Sequence, residues 1–388
     1  MTRRLDKIAP FRVVEMLEQA RTLERAGADV IHLEVGEPDF PTPQGIVEAG
    51  VEALRDGYTR YTGALGIPEL RQAIADYYRD QLGFAVATDR VIVTAGASAG
   101  LQLAITAICD VGDGLLLPDP GYPCNEVFAL SAGVEPQSLP TRAEDRFQPR
   151  PELLRAHWQP NTRAALLASP SNPVGSALRV AELAELAATV HGLGGTLLLD
   201  EIYQGLMFGQ PHYATGLAVN SELVSINSFS KYFGMTGWRL GWLVVPDALV
   251  EPVQRLAGNL YISPSAPAQR AALAAFSEDT LTLCEARRLE LVRRQQRLTA
   301  GLRELGFGIP VVPEGAFYVF ADIAPLGVEP AAMAFCERLL KEAEVALAPG
   351  IDFGSNGTAS MVRFACTVDL DRIDVALERI GAALVGWR

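Results

Sequence analysis

Short runs of uninterrupted apolar residues alternate along this chain with longer stretches in which apolar positions return every three or four residues. The short runs, at residues 91–94, 115–117, 164–168, 196–199, 224–226 and 240–245, predict strands buried on both faces. The longer stretches predict helices, for example over 12–26 and over 180–190, which reads Val-Ala-Glu-Leu-Ala-Glu-Leu-Ala-Ala-Thr-Val. Alternation of the two predicts an α/β fold with a mostly parallel central sheet flanked by helices on both faces.

Two stretches divide the pattern. Residues 36–43, Gly-Glu-Pro-Asp-Phe-Pro-Thr-Pro, are expected to be extended, because each proline pushes the residue before it out of the helical region. That holds the N-terminal helix away from the main sheet. Near residue 290 a long helix carrying Arg287, Arg288, Arg293, Arg294 and Arg297 is expected to lead into a second unit. With 388 residues, more than one ordinary core accommodates, the expected division is a large domain over 44–290 and a smaller α+β domain formed by 1–43 with 291–388.

Composition narrows the function classes. A chain that is 49% hydrophobic and 20% charged is expected to pack rather than stay disordered. Its 33 Lys and Arg against 46 Asp and Glu leave a net charge of −13, the wrong sign for a nucleic-acid surface, so an anionic ligand must be met by local groups. The five cysteines, Cys109, Cys124, Cys284, Cys336 and Cys366, are odd in number and lack paired metal spacing, which fits a reducing compartment and no metal. No apolar run approaches the roughly 20 residues of a membrane span. The charged start, Met-Thr-Arg-Arg-Leu-Asp, has no apolar segment behind it, so neither a membrane nor a signal peptide is expected and the cytoplasm is the default.

Open α/β sheets bind ligands in the crevice outside the carboxyl ends of their strands, and five predicted strands end in unusual chemistry. The sequences there are Ala-Gly-Ala-Ser-Ala-Gly (95–100), Pro-Asp-Pro-Gly-Tyr-Pro (118–123), Ser-Pro-Ser-Asn-Pro-Val-Gly (169–175), Asp-Glu-Ile-Tyr (200–203) and Asn-Ser-Phe-Ser-Lys (227–231). Gly96-Ala97-Ser98 can offer backbone N–H groups and a hydroxyl to a phosphate at a helix N-terminus, or Ser98 can simply be an N-cap. Arg239 can take two phosphate oxygens or form a surface ion pair; Trp238, Leu240 and Trp242 around it suggest partial burial. Asp200 can cap a helix or pair with a pyridinium nitrogen. Tyr203, one helical turn on, and Asn172 can donate to a ring oxygen. Tyr122 can stack on a planar ring or pack in a turn. Lys231 is a solvated charge or an imine-forming amine.

Taken together these strand ends describe a phosphate cup, a stacking ring, an acid for a ring nitrogen, donors for a ring oxygen and a lysine. The chain resembles the fold-type I pyridoxal-phosphate aminotransferases of class I/II over nearly its whole length. Ser-Phe-Ser-Lys-Tyr-Phe-Gly-Met-Thr-Gly-Trp-Arg (228–239), Asp200 to Tyr203 and Ser169 to Gly175 carry the resemblance. It implies pyridoxal 5'-phosphate as cofactor, Lys231 as the imine-forming and proton-transferring lysine, and Asp200 as partner of the pyridine nitrogen. Tyr203 and Asn172 then serve the ring oxygen, Tyr122 the ring face, and Ala97, Ser98, Ser228 and Arg239 the phosphate. The resemblance further implies a homodimer in which Tyr61 reaches the partner's phosphate, and a substrate α-carboxylate held by Arg363 beside the Gly36 backbone. From its local sequence alone Arg363 reads as an ordinary strand-end charge.

The activity so implied is ping-pong transamination between an amino acid and a 2-oxo acid such as 2-oxoglutarate. Relatives that favour dicarboxylic donors add an arginine from the partner subunit, and the corresponding stretch here, residues 261–269, has none, so a neutral or aromatic donor is expected. The alternatives are a β-lyase using the same lysine, a non-catalytic regulatory protein that binds the cofactor, and an α/β binding protein without cofactor, which would leave Lys231 and Asp200 unexplained.

Overall fold

The computed structural model describes residues 5–209, 215–328 and 331–387; the start of the chain, weighed above for a signal peptide, lies outside them up to residue 4. The described strands are β1 (Ile31–His32), β2 (Val91–Thr94), β3 (Gly114–Asp119), β4 (Glu135–Pro140), β5 (Thr162–Ala168), β6 (Thr196–Asp200), β7 (Val224–Ser228), β8 (Gly241–Val244), β9 (Tyr318–Asp322), β10 (Val345–Ala346), β11 (Ala348–Pro349) and β12 (Met361–Ala365). Seven form one sheet in the order β2-β8-β7-β6-β5-β3-β4. All neighbours run parallel except around β8, which is antiparallel to both β2 and β7.

Alternating side chains explain why the strands read as unbroken apolar runs. Leu115, Leu117, Ala164, Leu166, Leu198 and Ile226 face one helical layer, and Leu116, Ala165, Leu167, Leu197 and Leu199 face the other. Both faces are therefore core. The pattern missed β4, whose Glu-Pro-Gln-Ser-Leu-Pro is polar and proline-bearing. It pairs on one side only, with β3, and at a sheet edge a proline need not donate.

A three-stranded antiparallel sheet, β11-β12-β9, and the parallel pair β1-β10 lie around a separate core that includes Phe317, Phe335, Leu339, Phe364, Ile373 and Ile380. The short strands of this part were not evident in the sequence. The arginine-bearing helix spans Glu278–Glu304. Arg294 Nη1 lies 2.7 Å from Asp39 Oδ1, Arg287 Nη1 donates to the Pro41 carbonyl at 2.8 Å, and both guanidinium groups lie over the Phe40 ring at 4.7 and 5.2 Å. These arginines thus fix the extended 36–43 stretch.

The N-terminal helix Arg12–Arg25 has no cap from its own sequence. Asp352 supplies one from 340 residues away, accepting from Arg12 N at 2.9 Å and Val13 N at 3.1 Å. A carboxylate there meets both the unsatisfied amides and the positive end of the helix dipole. Val13, Met16 and Ala20 are buried, whereas Phe11, Val14 and Leu17, spaced by three residues, form a second apolar stripe that turns into a cavity.

Candidate active site

That cavity, about 470 Å³, opens at the carboxyl ends of the parallel strands. Of the site residues expected from sequence, Gly36, Ala97, Ser98, Tyr122, Asn172, Asp200, Tyr203, Ser228, Lys231, Arg239 and Arg363 all line it. Tyr61 does not; its side chain stands 84% exposed on the surface of the single chain.

The cup expected to take a phosphate lies where β2 turns into the helix Gly96–Ile108. This helix starts two residues before Ser98, and its N-cap, Ala95, has no side-chain bond, so Ser98 is not an N-cap. Its hydroxyl therefore lies in the first turn, beside amides that no intrahelical carbonyl can reach. A methyl group at Gly96 would sit 2.7 Å from Arg239 Nη2, so glycine there lets the guanidinium approach. Arg239 is exposed rather than partly buried: Trp238 and Leu240 pack around its backbone while its side chain reaches the cavity. It takes a left-handed φ of 53°, a conformation that costs a non-glycine residue energy. Its Nη1 donates to the Thr236 carbonyl at 2.9 Å, and among the described residues no carboxylate pairs with it. Ser228 Oγ accepts from Ser230 N at 3.0 Å and so shapes the loop leading to Lys231.

Asp200 ends β6, but no helix follows it. Its Oδ1 accepts from Ile202 N at 3.1 Å, and buried Glu201 is tied to Gly216 N at 2.8 Å and Ser225 Oγ at 2.5 Å. These bonds hold a turn in place of a first helical turn, and only the short 3-10 segment Gln204–Leu206 comes after it. Tyr203 reaches the cavity from that turn and not from a helical face. Burial pushes the Asp200 carboxyl up to about 7, partly offset by the bond from Ile202.

Half-buried Lys231 donates from Nζ to the Gly36 carbonyl at 2.7 Å. Burial lowers its pKa to about 8, with Glu37 opposing the shift and Arg363 and Arg239 adding to it. Glu37, a cavity residue the sequence reading did not single out, accepts from Thr236 Oγ1. Arg363 is not at a strand end. It sits at the middle of β12, only 4% exposed, with Nη1 donating to Asn172 Oδ1 at 3.0 Å and Nη2 to the Glu34 carbonyl at 2.5 Å. Its Nε is buried without a partner, and no carboxylate among the described residues pairs with it. A buried guanidinium with neutral partners only can receive an anion.

Tyr318 was also missed, because Ala-Phe-Tyr-Val-Phe reads simply as a buried strand. Its hydroxyl lies 2.8 Å from that of Tyr203, and its ring packs on Arg363. The apolar stripe of Phe11, Val14 and Leu17 could have been found from its three-residue spacing, but nothing in the sequence says which of two apolar helix faces meets a ligand. All five cysteines are free thiols. Among the described residues no helix is long and apolar enough to cross a membrane, and no cluster of three or more His, Cys, Asp or Glu could hold a metal.

A profile of the family described as aminotransferase class I and II matches residues 28–380. The chain is 37% identical to a valine–pyruvate aminotransferase of Mycobacterium tuberculosis, with 97% of each chain covered. It is 35% identical to an aspartate/prephenate aminotransferase of Thermus thermophilus, covering 99% of this chain and 98% of that one. Among solved structures it is similar to an aminotransferase from Mycobacterium tuberculosis, with a TM-score of 0.95 at 36% identity over 100% and 99% of the two chains. An aspartate aminotransferase from Thermus thermophilus with maleate gives 0.92 at 33% identity over 98% and 99%.

Proposed function

The chain belongs to the aminotransferase class I and II family, whose members use pyridoxal 5'-phosphate, and we propose that it transfers the amino group of a neutral or aromatic amino acid to a monocarboxylic 2-oxo acid. The residues present fit the cofactor. Arg239 and the first-turn amides are uncommitted to any protein anion, and Asp200, pushed up to about 7 by burial against only a small opposing pull from Lys231, is suited to a cationic partner that would hold it ionised. Ala97, Ser98, Ser228 and Arg239 would take the phosphate, Tyr122 the ring face, Asn172 and Tyr203 the ring oxygen, and Asp200 the ring nitrogen. Bound there, the cofactor supplies an electron-poor ring that accepts the electron pair left on the substrate Cα.

The chain's own residues do the rest. Arg363 grips the α-carboxylate and fixes which Cα bond faces Lys231. Lys231 Nζ, its pKa drawn down toward neutrality, takes the Cα proton. Donor and acceptor both need Arg363, so they bind in turn, which makes the reaction ping-pong. The 44–290 unit would carry the cofactor and the 1–43 plus 291–388 unit the carboxylate arginine. In a homodimer, exposed Tyr61 would reach the partner's phosphate.

The inventory of cations carries the substrate assignment. Lys231, Arg239 and Arg363 are the Lys and Arg residues of the described cavity wall, and each already has a role. This chain offers none for a second substrate carboxylate, and residues 261–269, the stretch from which a partner subunit would supply one, hold no arginine, while Phe11, Val14 and Leu17 offer an apolar wall to a side chain. The valine–pyruvate relative is named for such a neutral pair. This favours an acceptor of the pyruvate type over 2-oxoglutarate, the one expected from sequence. A panel of donors, followed by the 2-oxo acid each yields, tests the reading: valine, leucine, phenylalanine and alanine should outrun aspartate. Aspartate fastest by an order of magnitude refutes it, and ammonia with pyruvate from a β-substituted donor indicates the lyase instead.

A further inference from the structure

Tyr318, at the start of β9, touches two residues to which the proposed reaction gives separate tasks, Tyr203 and Arg363, and abuts the backbone that holds Lys231. Its hydroxyl is 2.8 Å from the Tyr203 hydroxyl, with both side chains buried, and the two rings meet edge to face with centroids 5.7 Å apart at 81°. Its ring lies 4.3 Å from Arg363 Cζ. Its oxygen also abuts Gly36, where a methyl group would lie 2.3 Å from it, and the Gly36 carbonyl is the acceptor for Lys231.

Each phenol has one proton to give. If Tyr203 directs its proton at an acceptor in the cavity, the 2.8 Å contact with Tyr318 persists only with Tyr318 as the donor. Burial keeps both phenols protonated, so that donor is present throughout the working pH range. In a low-dielectric site, successive hydrogen bonds polarise one another, so Tyr318 strengthens what Tyr203 donates. Its ring meanwhile neutralises part of the cost of burying Arg363 through a cation–π contact.

We propose that Tyr318 is a positioning residue that joins recognition of the cofactor's ring oxygen by Tyr203 to recognition of the substrate carboxylate by Arg363. The inference rests on the cofactor reading above. It makes the two functions separable by two substitutions, since Tyr318→Phe removes the hydroxyl and keeps the ring, whereas Tyr318→Leu removes both.

The experiment uses the holoenzyme and two readouts other than turnover. One is the pH midpoint of the visible absorbance band that Lys231→Ala abolishes. The other is inhibition by 3-methylbutanoate, a carboxylate with no amine. Donation to the ring oxygen favours the state that has lost its proton, so weaker donation in Tyr318→Phe should raise the midpoint by about 0.3–0.6 pH units, the scale of a lost cooperative contribution. Its inhibition constant should stay within twofold. Tyr318→Leu should raise the midpoint similarly and weaken inhibition about threefold to fivefold, the scale of a lost cation–π contact. A lower melting temperature with neither readout moved means a structural role only and overturns the proposal, as does a midpoint unchanged within 0.1 units in Tyr318→Phe. A wild-type protein with no Lys231-dependent band overturns the cofactor reading and this proposal with it.

Discussion

His32 and Glu34 give the sharpest stability prediction. Glu34 is completely buried, with Oε1 2.7 Å from His32 Nδ1 and Oε2 without any partner. His32 Nε2 continues the chain to Glu24 on the N-terminal helix at 3.2 Å. The bond to Glu34 raises the His32 pKa from 6.5 to about 9, against the opposing effect of burial. A histidine whose pKa is higher folded than unfolded stabilises fully below pH 6.5, and that contribution disappears as the pH rises through about 9. The full shift corresponds to roughly 3 kcal/mol, and with the His32 side chain 25% exposed to screening solvent about 1–2 kcal/mol is the realistic size. His32→Gln keeps a donor for Glu34 but cannot be charged. Urea unfolding of both proteins, cofactor-free, from pH 6 to pH 10 should show the variant less stable by about 1–2 kcal/mol at pH 6, converging on wild type above pH 9. The difference must be used, because Lys231, lowered to about 8, contributes with the opposite sign between pH 8 and 10.5 in both proteins. A gap that is constant with pH, or that widens toward pH 10, would show that Glu34 does not stabilise His32 as a cation.

Gly36→Ala should destabilise by about 1–3 kcal/mol, because its methyl group would meet the confined Tyr318 hydroxyl at 2.3 Å; an unchanged thermal midpoint would show that the segment yields freely. Asp352→Leu removes the remote cap of Arg12 N and Val13 N and should cost about 1–2 kcal/mol. Hydrogen exchange should then quicken in the first turn of the Arg12–Arg25 helix while the main sheet stays protected, and uniform acceleration would count against a local cap. Arg363→Lys loses the fork that spans Asn172 and the Glu34 carbonyl, so KM for a neutral donor should rise about a hundredfold with kcat moved far less. An unchanged KM would remove Arg363 from carboxylate binding.

Much of this architecture was legible because both faces of the seven-stranded sheet are buried. Strands such as β5 and β6 therefore appear as unbroken apolar runs, and the chemistry follows directly at their carboxyl ends. β4 escaped because an edge strand tolerates proline and polar residues, and the short strands of the second core escaped because pairing over two residues leaves no periodicity. The site residues announced themselves where a motif clusters them, as between Ser228 and Arg239. Burial was harder to foresee than identity: Arg363 reads as an ordinary strand-end charge until β9 and β11 flank it, and Arg239 reads as partly buried until its side chain is seen to leave the apolar cluster. Asp200 looked like a helix cap, yet bonds from Ile202 and around Glu201, whose partners lie 15 to 24 residues on, replace that helix with a turn. Tyr318 and the Phe11, Val14 and Leu17 stripe carried no chemical signature, since their roles come from what the fold places opposite them.

Two tasks fall to Lys231 in the proposed reaction, binding the cofactor covalently and moving the substrate proton. The decisive measurement is an absorbance spectrum of the protein loaded with pyridoxal 5'-phosphate and freed of excess, with and without borohydride, wild type beside Lys231→Ala. Wild type should show a visible band that borohydride fixes covalently to the chain and that valine and leucine both bleach as the cofactor passes to its amine form, whereas the variant should show no borohydride-fixed cofactor and no conversion to the amine form. A Lys231→Ala protein that still fixes the cofactor covalently on reduction and still converts it with valine would contradict these roles.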